Sequence, residues 1–369
     1  MKYPLARPYL TSKDIAAVTK VLKSGVLSIG PNVKKFEKMI CDLSGARFSC
    51  AMNSGTAALH AGLIALGVGP GDEVITSPFS FISSANVIRM VGAKPVFVDI
   101  ESDTFNLDVN NIETAITPNT KAILPVHIFG QSIKNFDVLL KLAKKHHLSV
   151  IEDSCESIGA TYKNKPLGTF GDVGAFAFYA NKQITTGEGG IVITNNKKIY
   201  KICQYLRNQG RSESDSWLTH TNFGYNYRLD EMSAALGIEQ LKKFTIMSRD
   251  KNRIAALYEK YLKKIPNVIL PREINPISWF VYYVRVPKTV RNQLINLLSD
   301  VGIQSKPYLP SIHLQPCYKK SFGFKNGDFP IAEKISSETI ALPFFIGLKE
   351  RDIIYITNQV DSILRKLIK

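Results

Sequence analysis

The stretch Ala175–Thr194, AFAFYANKQITTGEGGIVIT, sets a lysine where lysines are uncommon. Lys182 follows an apolar, strand-like run and precedes Thr185, Thr186 and the turn Gly187-Glu188-Gly189-Gly190, after which a second apolar run resumes at Ile191. Withdrawal from water disfavours the ammonium form, so a lysine placed this way offers its neutral amine as a nucleophile. The flanking glycines let the backbone turn sharply and come close to a ligand.

Three further stretches carry residues able to do chemistry, and each also has a plainer reading. In NSGTAALHAGL (Asn53–Leu63), the leucines mark the buried stripe of a helix beginning near Thr56. Ser54-Gly55-Thr56 then presents hydroxyls and free N–H groups at the positive end of a helix dipole, which is a phosphate cradle, or else a plain serine N-cap. In LSVIEDSCES, Asp153 ends an apolar strand, where a carboxylate either caps a helix or holds a proton on a ring nitrogen of a cofactor. In FSFISSAN, Phe81 follows a strand and either packs in the core or stacks on a flat ring. Taken together in this order, a phosphate cradle, a strand-end aspartate, an aromatic and a sheltered lysine are the parts of a pyridoxal 5′-phosphate site.

The elements that must position these residues alternate between about residues 45 and 200. Candidate strands are Glu73–Ile75, Pro95–Ile100, Lys121–Ile128 and Leu148–Glu152, with helices over Thr56–Leu66, Ser84–Val91 and Asn135–His146. That alternation predicts a large α/β domain on a mostly parallel sheet, in which ligands bind at the carboxyl ends of the strands. From about residue 230 a long helical pattern runs to about residue 265, followed by an α+β section: a strand in SWFVYYVRVP, a helix in TVRNQLINLLSDVG and a terminal helix in DIIYITNQVDSILRKLI. The expected division is a large domain over 1–245 and a smaller C-terminal α+β domain over 246–369, with the N-terminal segment able to pack on the smaller one.

Composition bounds the function. The chain has 369 residues, 45% hydrophobic and 21% charged, as ordinary globular proteins do. No apolar run approaches a spanning length, and the N-terminus lacks the apolar core of a signal peptide, so the expectation is a cytoplasmic protein with no membrane insertion. Five scattered cysteines, with no CxxC pair, suit a reducing compartment and neither a disulfide framework nor a zinc site. The net charge of +16 fits solvated lysine-rich faces such as KLAKKHH, and secondarily the attraction of a diphosphate-bearing substrate. A nucleic-acid-binding regulator is the rival the charge alone suggests, but no recognised module or arginine–aromatic cluster accompanies it.

The motifs LSIGPNVKKFE, NSGTAALHAGLIALGVGPGDEVI, VIEDSCESIGA, FGDVGAFAFYANKQITTGEGG, GYNYRLDEMSAALG and ALPFF, in this order and over essentially the full length, resemble the DegT/DnrJ/EryC1/StrS family of sugar aminotransferases. The resemblance implies the fold-type I, aspartate-aminotransferase-like architecture and pyridoxal 5′-phosphate as cofactor. By it, Lys182 would attach covalently to the cofactor and Asp153 would pair with the pyridine nitrogen. Phe81 would stack on the ring, Gly55 and Thr56 would hold the phosphate, and Asn226 would reach that phosphate from the neighbouring subunit of a homodimer with shared sites. Ser28, Arg228 and His313 lie in segments the family uses near a nucleotide-sugar. Two departures stand out. Ala177 replaces a hydroxyl residue that many members carry there, and position 156, often Gln or His, is Glu, as in the branch resembling perosamine synthases. Lysine at 182 argues against the branch that deoxygenates sugars with His there. The implied reaction moves an amino group from L-glutamate to a nucleotide-diphosphate keto-6-deoxy sugar, 4-keto before 3-keto, for surface polysaccharide or related amino-sugar synthesis. A sugar-nucleotide dehydration on the same cofactor is the alternative.

Overall fold

A computed structural model describes residues 2–211, 216 and 218–368. Two helices open the chain, α1 (Ser12–Ser24) and α2 (Pro31–Ser44). Proline begins α2, where its missing N–H would lack an intrahelical partner in any case. The strands that follow are β1 (Phe48–Met52), β2 (Glu73–Thr76), β3 (Lys94–Phe97), β4 (Thr120–Leu124), β5 (Ser149–Asp153), the small hairpin of β6 (Thr161–Tyr162) and β7 (Lys165–Pro166), β8 (Val173–Ala177) and β9 (Gly190–Thr194). Seven of them form one sheet in the order β1-β9-β8-β5-β4-β2-β3. The pairs from β8 through β3 are parallel, while β9 runs against both its neighbours, so the expected mostly parallel sheet is what forms. Helices α3 (Gly55–Ala65), α4 (Ser83–Met90), α5 (Phe136–Lys145) and α6 (Lys197–Arg207) join the strands. The reading Lys121–Ile128 ran too far: β4 stops before Pro125, which has no N–H to give a ladder. The reading Pro95–Ile100 likewise overran β3, which ends at Phe97.

The pleat sorts side chains between two faces, because successive residues point to opposite sides. Cys50 and Met52 of β1, Val192 of β9, Ala175 of β8 and Ile151 of β5 pack with α3 and α6 in one core. Their alternates Ala51, Ile191, Ile193 and Phe176 pack with Val33, Phe36 and Ile40 of α2 on the other face. Farther along the sheet Ile75, Ile123 and Val150 pack with Phe136 and Leu139 of α5. The central strands are therefore buried on both sides and read as near-continuous apolar runs.

The long helical pattern is two helices, α7 (Glu231–Lys242) and α8 (Phe244–Leu262), with Lys243 between them. The joint is gripped from outside: Lys243 pairs with Asp14 of α1, and Gln240 Nε2 donates to Asp14 Oδ1 at 2.9 Å. Sequence periodicity does not register a contact made across some 230 residues. Beyond α8 lie β10 (Tyr282–Arg285), α9 (Lys288–Asp300), β11 (Lys306–Pro307), α10 (Pro316–Phe322), α11 (Pro330–Glu338), β12 (Thr339–Leu342) and α12 (Glu350–Leu367). A second core forms here from Ile254, Tyr258, Leu294, Leu298, Ile353 and Ile356. The N-terminal segment joins it: Tyr3 N–H donates to Gly302 O at 3.0 Å and Leu5 N–H to Gln304 Oε1 at 2.8 Å. Among the described residues no helix is long and apolar enough to cross a membrane.

Glu231, at the start of α7, is fully buried and caps α2 from a distance. Its Oε1 accepts from Gly30 N–H at 3.0 Å and Val33 N–H at 3.1 Å, and its Oε2 from Asn32 N–H and Asn32 Nδ2, both at 2.8 Å. A carboxylate at a helix N-terminus satisfies donors that the helix itself cannot. Glu231→Ala strands these buried donors and is expected to lower unfolding stability by about 3 kcal/mol in chemical denaturation. A loss below about 1 kcal/mol would show that water replaces the carboxylate.

Candidate active site

The sheet's topology brings three strand ends to one rim. β1 leads out to Ser54, β5 ends at Asp153, and β8 leads to the loop bearing Lys182, which returns as β9. A cavity of about 450 Å3 opens there, lined among others by Gly55, Thr56, Phe81, Asp153, Glu156 and Lys182. Residues expected separately from four stretches of sequence thus share one wall-to-wall space.

Asp153 reaches the cavity because the pleat alternates. Its neighbour Glu152 turns to the opposite face, where the carboxylate accepts from the N–H groups of Gly168, Phe170 and Gly171 at 2.7, 2.7 and 2.8 Å and lies 2.9 Å from His127 Nε2. Asp153 is held from the chain on both sides, its N–H donating to Pro125 O and its carbonyl accepting from His127 N–H. In the cavity wall its Oδ2 accepts from Ser84 Oγ at 2.6 Å and its Oδ1 from Cys155 N–H at 3.2 Å. The carboxylate is fixed in direction before any ligand arrives.

The lysine side chain is only 13% exposed. Its Nζ lies 3.2 Å from Glu156 Oε1 and 4.5 Å from the centre of the Phe280 ring. It is sheltered, as expected, and it is also paired. Glu156 Oε2 accepts from Phe129 N–H at 2.9 Å, and Phe129 adopts a left-handed conformation (φ 55°) to present that donor. Next in chain to the lysine, Gln183 Nε2 donates to Glu156 O and to Ser278 O at 2.5 and 2.7 Å.

Glycines set the approach of the cradle to the lysine loop. Gly190 faces Met52 across the sheet, and a Cβ on it would stand 2.3 Å from Ser54 O. A Cβ on Gly55 would stand 2.6 Å from Ala177 Cβ. Ser54 does cap α3, its Oγ accepting from Ala57 N–H at 3.0 Å, while the first-turn N–H groups at Gly55 and Thr56 have no acceptor within the helix. Cap and cradle are the same turn. Gly187 supplies the left-handed bend (φ 85°) between lysine and β9.

Burial pushes the Cys155 thiol well up, with the Asp153 charge adding to it. Burial, with Glu156 beside it, likewise pushes up the Tyr308 phenol, whose oxygen is 3.5 Å from Asn181 Nδ2. Both stay neutral at ordinary pH, so neither competes with Lys182 as a nucleophile. The residues fit pyridoxal 5′-phosphate: an anion cradle, a fixed carboxylate for the ring nitrogen, an amine within the same cavity, and Phe81, 61% exposed at the rim, for the ring face.

Four expected residues lie elsewhere. Asn226 is exposed and outside the cavity, but its backbone is anchored by a bridge to Asn208 and by Asn53 Nδ2, which donates to Asn226 O at 3.3 Å. Arg228 lines a separate recess with Arg211 and Gly30, and Ser28 is exposed beside it in sequence. His313 is buried with its Nε2 3.0 Å from Glu333 Oε1 and its Nδ1 without a partner among the described residues, and it does not line the cavity. Sequence reasoning missed Ser84, Asn181, Tyr308 and Phe280. Ser84 had a signal, three residues after Phe81 at the start of a helix; Tyr308 and Phe280 reach the site only through tertiary packing.

The DegT/DnrJ/EryC1/StrS aminotransferase family pattern matches residues 8–361. The chain is 38% identical to the GDP-perosamine synthase of Caulobacter vibrioides, over 92% of each protein. Its fold superimposes on Helicobacter pylori PseC, an aminotransferase involved in the biosynthesis of pseudoaminic acid, with a TM-score of 0.94 at 29% identity over 99% of this chain and 100% of that one. It also superimposes on Streptococcus pneumoniae Spr1654 in its PLP form, again with a TM-score of 0.94 at 29% identity, over 100% of both chains. The protein belongs to the DegT/DnrJ/EryC1/StrS aminotransferase family, which has the fold-type I architecture and depends on pyridoxal 5′-phosphate.

Proposed function

We propose that the protein transfers an amino group from L-glutamate to a nucleotide-linked 4-keto-6-deoxy sugar, in the cytoplasm, for surface polysaccharide or a related amino sugar. The observation that carries this reading is the convergence of Lys182, Asp153 and the Ser54–Thr56 turn on one cavity of about 450 Å3. Glu156, as in the perosamine synthase-like branch, and the similarity to a GDP-perosamine synthase favour C4 as the accepting carbon.

When bound, the cofactor supplies an electron sink for the carbanion formed at the donor carbon. The chain's residues do the rest. Gly55 and Thr56 bind the phosphate with N–H groups and the α3 dipole. Asp153 holds a proton on the ring nitrogen, aimed by Ser84 and by Cys155 N–H. Lys182 Nζ would be the attachment point, and as a free amine it would be the base that takes the proton from the donor carbon and gives it back. Glu156, 3.2 Å away, keeps the freed amine beside the reacting centre.

The nucleotide end of the substrate has a counterpart in the recess of about 100 Å3 lined by Arg228, Arg211, Arg207 and Ile29. Arg207 is matched by Glu37. Burial, and then the Arg211 charge, hold Arg228 below its usual range, while Arg211 Nε is buried without a partner among the described residues. Crowded guanidiniums of this kind suit a diphosphate. The active unit in this reading is a homodimer: Asn226, exposed on an anchored backbone, reaches the neighbour's phosphate site, and exposed Leu27, Ile29 and Phe223 in the adjoining segments suit an interface.

Borohydride reduction followed by peptide mapping should find the cofactor on Lys182, and Lys182→Ala should abolish turnover with the fold intact; a label on another lysine would overturn the assignment. L-Glutamate should shift the bound cofactor's absorbance before any sugar is added, whereas sugar turnover without that shift would favour dehydration. Asp153→Asn should still bind cofactor yet lose roughly 100-fold or more in kcat, and Ser84→Ala, which only aims the carboxylate, about tenfold. Near wild-type rates in Asp153→Asn would reduce that residue to a helix cap. Mixing inactive Lys182→Ala and Asn226→Ala subunits should restore partial activity, since hybrid dimers hold one site with both native residues. Absence of rescue after verified subunit exchange would refute the shared site.

A further inference from the structure

Lys182 also borders a second, much smaller cavity, bounded by Arg7 and Tyr9 of the N-terminal segment, Gln183, Lys251 of α8 and Phe344. Its volume, about 20 Å3, admits one water-sized body and nothing as large as an amino acid. Lys251 is 6% exposed and lines this space. No Asp or Glu lines the cavity, and among the described residues no carboxylate pairs with Lys251 or Arg7. Lys182 has Glu156 as counter-charge. Among the described residues Arg7 is partnered by the Phe345 ring, 5.2 Å from its guanidinium carbon. An ammonium buried without a counter-ion is costly, and such groups are ordinarily paired.

We infer that this cavity is a binding site for one monovalent anion of halide size, held between Lys251 and Arg7 behind the catalytic lysine. The space is too small for a carboxylate with its substituent, and two basic side chains other than Lys182 line it, Lys251 and Arg7. Burial first, and then the charge of Lys182, hold the Lys251 amine down at about 7. Anion binding requires the ammonium, so affinity falls as pH rises through that value. The other titratable or charged groups lining the cavity are Arg7, Tyr9 and Lys182; Phe344–Ile346 contribute none, and behind Gln240 and Tyr9 the charges of Asp14 and Lys243 are paired with each other. An anion here screens Lys251 from Lys182. The site is independent of which sugar the enzyme uses.

Bromide is the probe. Crystals of the full chain soaked in sodium bromide below pH 7 should give an anomalous peak between Lys251 and Arg7. In solution, bromide should raise Tm by about 2 °C over sodium gluconate at equal ionic strength, an anion too large to enter. The shift should vanish in Lys251→Met and shrink as pH rises past about 7. Arg7→Gln, on an exposed residue, should fold normally and need several-fold more bromide for the same shift. If Lys251→Met fails to fold, the Arg7→Gln titration and the anomalous map decide. A shift of equal size in wild type and variants, or a cavity holding only water in the bromide-soaked crystal, overturns the inference.

Discussion

Three loops meet at Glu156, and most of the site depends on that meeting. One carboxylate oxygen faces Lys182 from the loop after β8, the other accepts from Phe129 in the loop after β4, and the residue itself lies in the loop after β5. Its carbonyl takes the amide of Gln183, which also reaches Ser278. Ser278 in turn donates to Ile158 O through its hydroxyl and to Gly130 O through its N–H. A single side chain and its backbone thus fix the separation of three loops that the sheet alone would leave free. Hydrogen bonds to a buried charge are the stronger kind, and in a low dielectric they stiffen one another.

The two carboxylates of Glu152 and Asp153 illustrate how a strand end divides labour. Glu152, fully buried, is saturated by backbone donors and works on architecture. Among the described residues Asp153 accepts from Ser84 Oγ and Cys155 N–H, with the Cys155 thiol beside it, leaving lone pairs for a ligand. The same residue class does two jobs one position apart because the pleat sends them to different surroundings. Neutral Cys155 and Tyr308 complete the division by keeping other reactive groups quiet near the amine.

The parallel sheet and the cavity's main residues were legible because they obey local rules. Asp153 closes an apolar run, Ser54 precedes a helical stripe, and Lys182 interrupts two strand patterns, each visible in a short window. What escaped was made by distance in the chain. The break at Lys243 follows from Asp14, the end of β4 from a proline that the apolar run concealed, and Phe280 and Tyr308 arrive from the second core. The recess around Arg228 and the pairing of His313 with Glu333 likewise follow from tertiary packing, so segment-by-segment likeness placed those residues near a substrate without showing what each one touches.

The reversed strand β9 has its own consequence. Two connections in the parallel part of the sheet, β2 to β3 and β4 to β5, climb back over a helix, α4 and α5, and such crossovers absorb added residues at their exposed turns. The lysine's connection does not: Ala177 and Gly190 face each other across neighbouring strands, so residues 178–189 form a tether stitched shut at both ends. Gly190 is also wedged against Ser54, so neither anchor can slide without opening the sheet. Lengthening the tether would swing the amine away from Asp153, and shortening it would pull the amine out of reach. The lysine's stretch of chain is therefore the connection this sheet lets change length least.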